Sequence, residues 1–233
     1  MVKGVSAGLI LMLCAASPVL AERLSYSVQW GDKLLGVVIY DRATGRTGRS
    51  RLYNKLEATP MGLLDGTFEA FSRASPTRRG EVIYEAKSDS PHKKRVSTIT
   101  LTTDGGVVDA GVAPGKDVTE FTNAANVPPP VLNPVQAFSQ LVDRSDCPQH
   151  SFSLYDARRV VEITPESSDR KGTVLTCELS YQVVLGPGHA RPLNLKSAAM
   201  TLEFDPAVAR SGPSRISLRS GPFRLTMIRY IPE

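Results

Sequence analysis

Apolar side chains recur at every second position along much of this chain, and that spacing restricts it to sheet structure. The clearest run is Leu175, Cys177, Leu179, Tyr181, Val183 and Leu185, alternating with Thr176, Glu178, Ser180 and Gln182. Successive side chains of a strand point to opposite faces, so the run predicts a strand with one buried face and one wet face. Leu24, Tyr26, Val28 and Trp30 repeat the pattern. Gly31-Asp32-Lys33 then reverses the chain, and 34–40 returns as the second arm of a hairpin. Val37, Val38 and Ile39 are apolar on both parities, which predicts cover on both faces there. Further strands are expected at 51–58, 67–74, 81–87, 96–103, 195–204, 215–219 and 223–231, separated by Gly-, Pro- and Asp-bearing turns. The expected fold is all-β and mainly antiparallel: a single curved sheet, an open barrel or spiral, with one short helix plugging or covering it.

That helix begins at Asn133-Pro134. Asparagine is a good N-cap, proline suits the first helical position, and Val135, Phe138, Leu141 and Val142 share one side. It is expected to end near Arg144 and to pack its Phe138 face on the sheet. Before it, regular structure fades from Ala110 to Leu132. Three consecutive prolines, Pro128 to Pro130, make the end of that segment extended and stiff. After it, Cys147 to Cys177 holds two apolar strands around a turn at Asp156 and Ala157, with a second, polar turn expected at 166–172. Asp156 suits a turn in which its carboxylate accepts from nearby backbone. Arg158 and Arg159 follow, one on each face of the next strand by alternation. One is expected to pair with Asp156 or Glu162, which leaves the other as a candidate anion contact.

The first 21 residues have the anatomy of a secretory signal, with Lys3, an apolar run from Val5 to Ala16, and Pro18-Val19-Leu20-Ala21 before a cut between Ala21 and Glu22. Leu11-Met12-Leu13-Cys14 only loosely resembles a lipidation site, because Leu13 is bulky where a small residue is needed. No later run approaches the ~20 apolar residues of a transmembrane helix. The organisation expected is thus a cleaved signal at 1–21 and one β-rich domain at 22–233, located in the periplasm. Loss of Cys14 with the signal leaves Cys147 and Cys177, and an even count in an exported chain favours a disulfide over two free buried thiols. Of 28 basic residues only Lys3 falls in the signal, and no acid does, so the net charge drops from +5 to +4. This dispersed excess, with 6% aromatics, argues against nucleic acid as a partner.

Catalytic patterns are sparse. Gly4-Val5-Ser6-Ala7-Gly8 matches a nucleophile elbow but lies in the signal. No H-E-x-x-H occurs, and the two remaining cysteines are too far apart for a zinc knuckle, so neither metal nor cofactor is expected. Gly45 to Ser50 lacks the lysine and spacing of a phosphate loop. His92, His150 and His189 each sit beside turn residues and suit surface loops. Lys93-Lys94-Arg95, with Arg78 and Arg79, suits a basic sheet edge that discourages aggregation. An apolar tip, Met61-Gly62-Leu63-Leu64, is either tucked into the core or forms a lip of Met61, Leu63 and Leu64 at a cavity mouth.

Taken together, Asn133-Pro134 with Phe138, Cys147 ahead of Leu154-Tyr155-Asp156-Ala157-Arg158-Arg159, and Thr176-Cys177 leading to Tyr181 and Gly186 resemble an exported bacterial family catalogued as domain of unknown function 3108. Gly36 and the Gly62-Leu63-Leu64 tip look similar to it as well. The resemblance implies a β-rich, curved-sheet envelope protein without an established activity or catalytic residue. That family has Asp-Gly-Arg where this chain has Asp156-Ala157-Arg158, and alanine resists the positive φ of a tight primed turn. The function expected is non-enzymatic: holding an apolar ligand such as a lipid in the curved sheet. The alternatives are a scaffold acting through an envelope protein partner and a hydrolase with dispersed residues.

Overall fold

Period-two alternation becomes one continuous antiparallel sheet of thirteen strands in the computed structural model, which describes residues 22–42, 48–57, 59, 65–91, 93–189, 195–209 and 211–231. The strands are β1 (Arg23–Trp30), β2 (Lys33–Asp41), β3 (Arg49–Leu56), β4 (Gly66–Ala74), β5 (Glu81–Ser90), β6 (Lys93–Thr102), β7 (Val107–Ala113), β8 (Phe152–Tyr155), β9 (Val160–Lys171), β10 (Val174–Leu185), β11 (Ser197–Phe204), β12 (Arg215–Ser220) and β13 (Phe223–Tyr230). Their order is β7-β6-β5-β4-β3-β2-β1-β13-β12-β11-β10-β9-β8, so the first and last strands pair in the middle while β7 and β8 form the two ends. The sheet is not closed by strand pairing, in agreement with the expected open barrel.

One helix, α1 (Pro134–Val142), covers the inner face. Asn133 caps it by accepting from the Val135 and Gln136 amides at 3.1 and 3.0 Å, while Gln136 reaches back to the Asn133 amide. Phe138 lies edge-on to Tyr26 and Tyr40, with centroids 6.5 and 5.7 Å away. The inner tyrosines keep their hydroxyls satisfied: Tyr26 donates to the Pro213 carbonyl and Tyr40 to Asp143. Burial pushes both phenols up to about 12. Gly36 sits at a β-bulge opposite Val28, at φ +153, with the Lys55 carbonyl where a Cβ would stand. Only glycine fits there.

Four expectations need correction. The segment 166–172 is not a turn: β9 continues to Lys171, and only the Gly172 region reverses the chain. Its residues from Glu166 onward are polar because that half of β9 projects past β8 and is wet on both faces; Pro165, which has no N–H, sits beside a bulge at Glu166. Regular structure persists past Ala110, through β7 to Ala113 and then three short 3₁₀ turns at Gly115–Asp117, Glu120–Thr122 and Ala124–Asn126. Lys93, Lys94 and Arg95 open β6 just before its pairing with β7 begins at Val96, and each is paired with an acid rather than held as free edge charge. Val37 and Ile39 are only half-buried, because α1 lies on the opposite face from them. The signal segment with Ala21, the Met61, Leu63 and Leu64 tip, and His92 lie outside the described residues.

Candidate binding site at the seam of the sheet

The segment between β7 and α1 runs along the gap that the sheet leaves open. At one end of this seam, the Val131 amide donates to the Gly105 carbonyl of the β6–β7 turn at 2.9 Å. Leu132 joins β8 instead, donating to Ser153 and accepting from the Tyr155 amide, both at 2.8 Å. Gly105 permits that approach, since a Cβ would meet the Val131 backbone at 2.9 Å. Two residues therefore bridge the ends of a thirteen-strand sheet.

The other end is held by charge. Asp117 is almost fully buried and takes an ion pair from Lys93 and another from Arg95, at 3.2 Å, both on β6. Burial alone would raise its carboxyl pKa, but the two cations more than offset this and hold it below the ordinary value. From the opposite end of the sheet, Arg158 Nε donates to the Asp117 carbonyl at 2.7 Å. Thr119 and Thr122 hydroxyls donate to the Arg158 and Ala157 carbonyls, and Tyr155 donates to Phe121. Asp117 thus joins residues that the chain separates by 22 and 41 positions.

The two arginines singled out from sequence sit side by side in the β8–β9 turn, and both are buried. Asp156 Oδ1 accepts from the Arg158 and Arg159 amides at 3.0 Å, as its turn role requires. Arg159 Nε lies 3.0 Å from Asp156 Oδ2, within ion-pair reach but without hydrogen-bond alignment, and its Nε and Nη1 have no hydrogen-bond partner. Desolvation and the neighbouring Arg95 and Arg159 lower the Arg158 pKa. Ala157 adopts φ +72 in spite of its Cβ. The turn is tight because four side-chain bonds hold its backbone, two from amides to Asp156 and two from the threonine hydroxyls, which outweighs the roughly 1–2 kcal/mol cost of a left-handed alanine.

His189 is not a surface loop residue. It is largely buried and shares a 2.7 Å hydrogen bond with the Tyr181 hydroxyl. Burial, with Arg159 and Arg158 nearby, pushes its pKa down to about 4, so it is neutral at neutral pH. His150, by contrast, is exposed.

Cys147 and Cys177 form a disulfide, 5.6 Å between Cα atoms, which ties the loop after α1 to the inner face of β10. Arg144 braces that loop by donating to the Asp146 and Cys147 carbonyls. Next to it, along the seam, lies an open groove of about 760 Å³. Pro130, Val131, Leu132 and Phe152 supply an apolar strip, and Arg144 and Glu162 supply charge. No group of three metal-ligating side chains occurs among the described residues, and no helix among them is long and apolar enough to cross a membrane.

The fold and seam define a barrel-like, antiparallel sheet protein with an internal helix. No family model matches the chain, and no curated protein does. Among solved structures it is similar to a β-barrel-like protein of domain of unknown function DUF1849 from Brucella abortus, at 12% identity and a TM-score of 0.37, over 89% of this chain and 95% of that one.

The seam was only partly visible in sequence. Arg158, Arg159, Asp156 and the cysteines carry local signals. Asp117 and the bridge at Val131 and Leu132 do not, since their partners come from distant strands.

Proposed function

We propose that this chain is an exported, periplasmic envelope protein of the kind catalogued as domain of unknown function 3108, acting by binding rather than catalysis. The ligand is apolar or amphiphilic, such as a lipid acyl chain, and it lies in the seam groove. The supporting observation is the groove itself. Its volume of about 760 Å³ is within the range of small-molecule sites, and an apolar strip faces a few charged groups that would orient a ligand. The helix and the inner tyrosines occupy the concave face, which favours the seam over the barrel interior as the place for a ligand.

Native mass spectrometry of protein purified from the periplasm, with extraction of bound lipid, tests this reading. A stoichiometric lipid that is lost in a Phe152→Asp variant of unchanged melting temperature is the expected result. Lipid-free protein that takes up no added fatty acid or phospholipid would overturn it.

A further inference from the structure

The outer face of the sheet carries an unusual arrangement. Among the described residues two pairs of arginines stand directly opposite each other on adjacent strands: Arg49 with Arg73, and Arg219 with Arg224. Like charges facing across a ladder destabilise a sheet. The first pair is relieved on both sides, since the Arg49 guanidinium lies 3.2 Å from the Phe71 ring centroid and Arg73 is 3.9 Å from Glu85. The second pair has no such relief. Among the described residues neither Arg219 nor Arg224 has an acid, carbonyl or ring partner, although both are exposed.

Their surroundings form a shallow hollow of about 400 Å³ across β10 to β13. Ala199, Ser217 and Thr226 form a floor of small and hydroxyl-bearing side chains. Two acids line the same hollow: Glu178 accepts from the Thr201 hydroxyl at 2.9 Å and keeps its charge, and Glu203 pairs with Arg215 at 3.3 Å, so its three arginines outnumber its carboxylates. Arg219 and Arg224 therefore stand on adjacent strands beside hydroxyl-bearing side chains, with no carboxylate in ion-pair contact with either among the described residues. Arginine forks of this kind match the oxygens of a phosphate group.

We infer that Arg219 and Arg224 form a binding site for a phosphate ester on the outer face, apart from the seam groove and independent of it. A soluble phosphate ester and a phospholipid headgroup present the same oxygens to the same two forks. The mature chain, in phosphate-free buffer of low ionic strength, is titrated with pyrophosphate and separately with vesicles of phosphatidylcholine, with or without phosphatidylglycerol.

Saturable pyrophosphate binding that weakens by about tenfold or more in the Arg219→Gln/Arg224→Gln double variant is expected. Arg79→Gln, which removes one positive charge in the distant β4–β5 turn, should leave it unchanged. Binding to phosphatidylglycerol vesicles as well as to pyrophosphate identifies a lipid headgroup as the source, and pyrophosphate binding alone identifies a soluble ester. Because both side chains are exposed, the double variant should fold, and without anion it should melt no lower than wild type. Pyrophosphate should raise the wild-type melting temperature and not that of the double variant. Absence of saturable binding in both arms, or equal weakening by Arg79→Gln, overturns the inference.

Discussion

Asp117 and His189 show how burial separates charged from neutral groups at single residues. Asp117 gathers two cations and stays ionised, whereas His189 lies beside two arginines and stays neutral. A histidine whose pKa is depressed on folding contributes stability above its unfolded value, and that contribution is lost as pH falls through the folded value. Urea denaturation should therefore show wild type losing stability relative to His189→Gln between about pH 6.5 and about pH 4, with no difference in slope above that window. Parallel curves for the two proteins across the window would refute the assignment. Neither residue was legible at this scale. His189 is flanked by glycine, proline and arginine, which in sequence resembles any exposed turn, and what surrounds it comes from Tyr181 on β10 and Arg159 in the β8–β9 turn. Asp156 was legible because the amides that donate to it lie within three residues; the turn at Ala157 was legible too, but not its positive φ, which the hydroxyl of distant Thr122 helps to hold against the preference of the alanine side chain.

At the scale of elements, strands and the helix were readable wherever one face is dry. β10 and α1 lie where period two and the Asn133-Pro134 cap place them, to within two residues. The distal half of β9 was not readable, because a strand that is wet on both faces has the composition of a turn. The disulfide belongs to this scale too, as it joins the loop after α1 to β10 from the inner side. It closes a loop of 30 residues, worth roughly 3–4 kcal/mol in the chain-entropy view. Reduction, or Cys147→Ser, should lower the melting temperature, and the variant should give less folded protein, while any groove ligand stays bound once the protein is folded. Equal melting temperatures with and without reductant would contradict that role.

For the whole molecule, the weakest join should be the seam. Twelve strand pairings run in unbroken sequence from β7 round to β8, yet among the described residues the ends are hydrogen-bonded to each other through the connecting segment, its Asp117 hub and the Val131–Leu132 bridge. Curved sheets of this kind are legible in outline from turn spacing, but how far they close is set by contacts between residues far apart in sequence. Local opening follows the region with the fewest hydrogen bonds per residue ordered, and its free energy can lie well below that of global unfolding. Native-state hydrogen exchange should accordingly find the amides of Val131, Leu132 and Tyr155 exchanging through a smaller opening free energy than those of Leu179 and Met200, which sit mid-sheet with partners on both sides. Asp117→Asn should widen that gap, since it removes the charge that anchors Lys93 and Arg95 to the connecting segment. A ligand seated in the groove should narrow it, because Val131 and Leu132 line both the groove and the bridge. If seam and mid-sheet amides instead exchange with one common free energy in every case, the seam is as firm as a strand pairing.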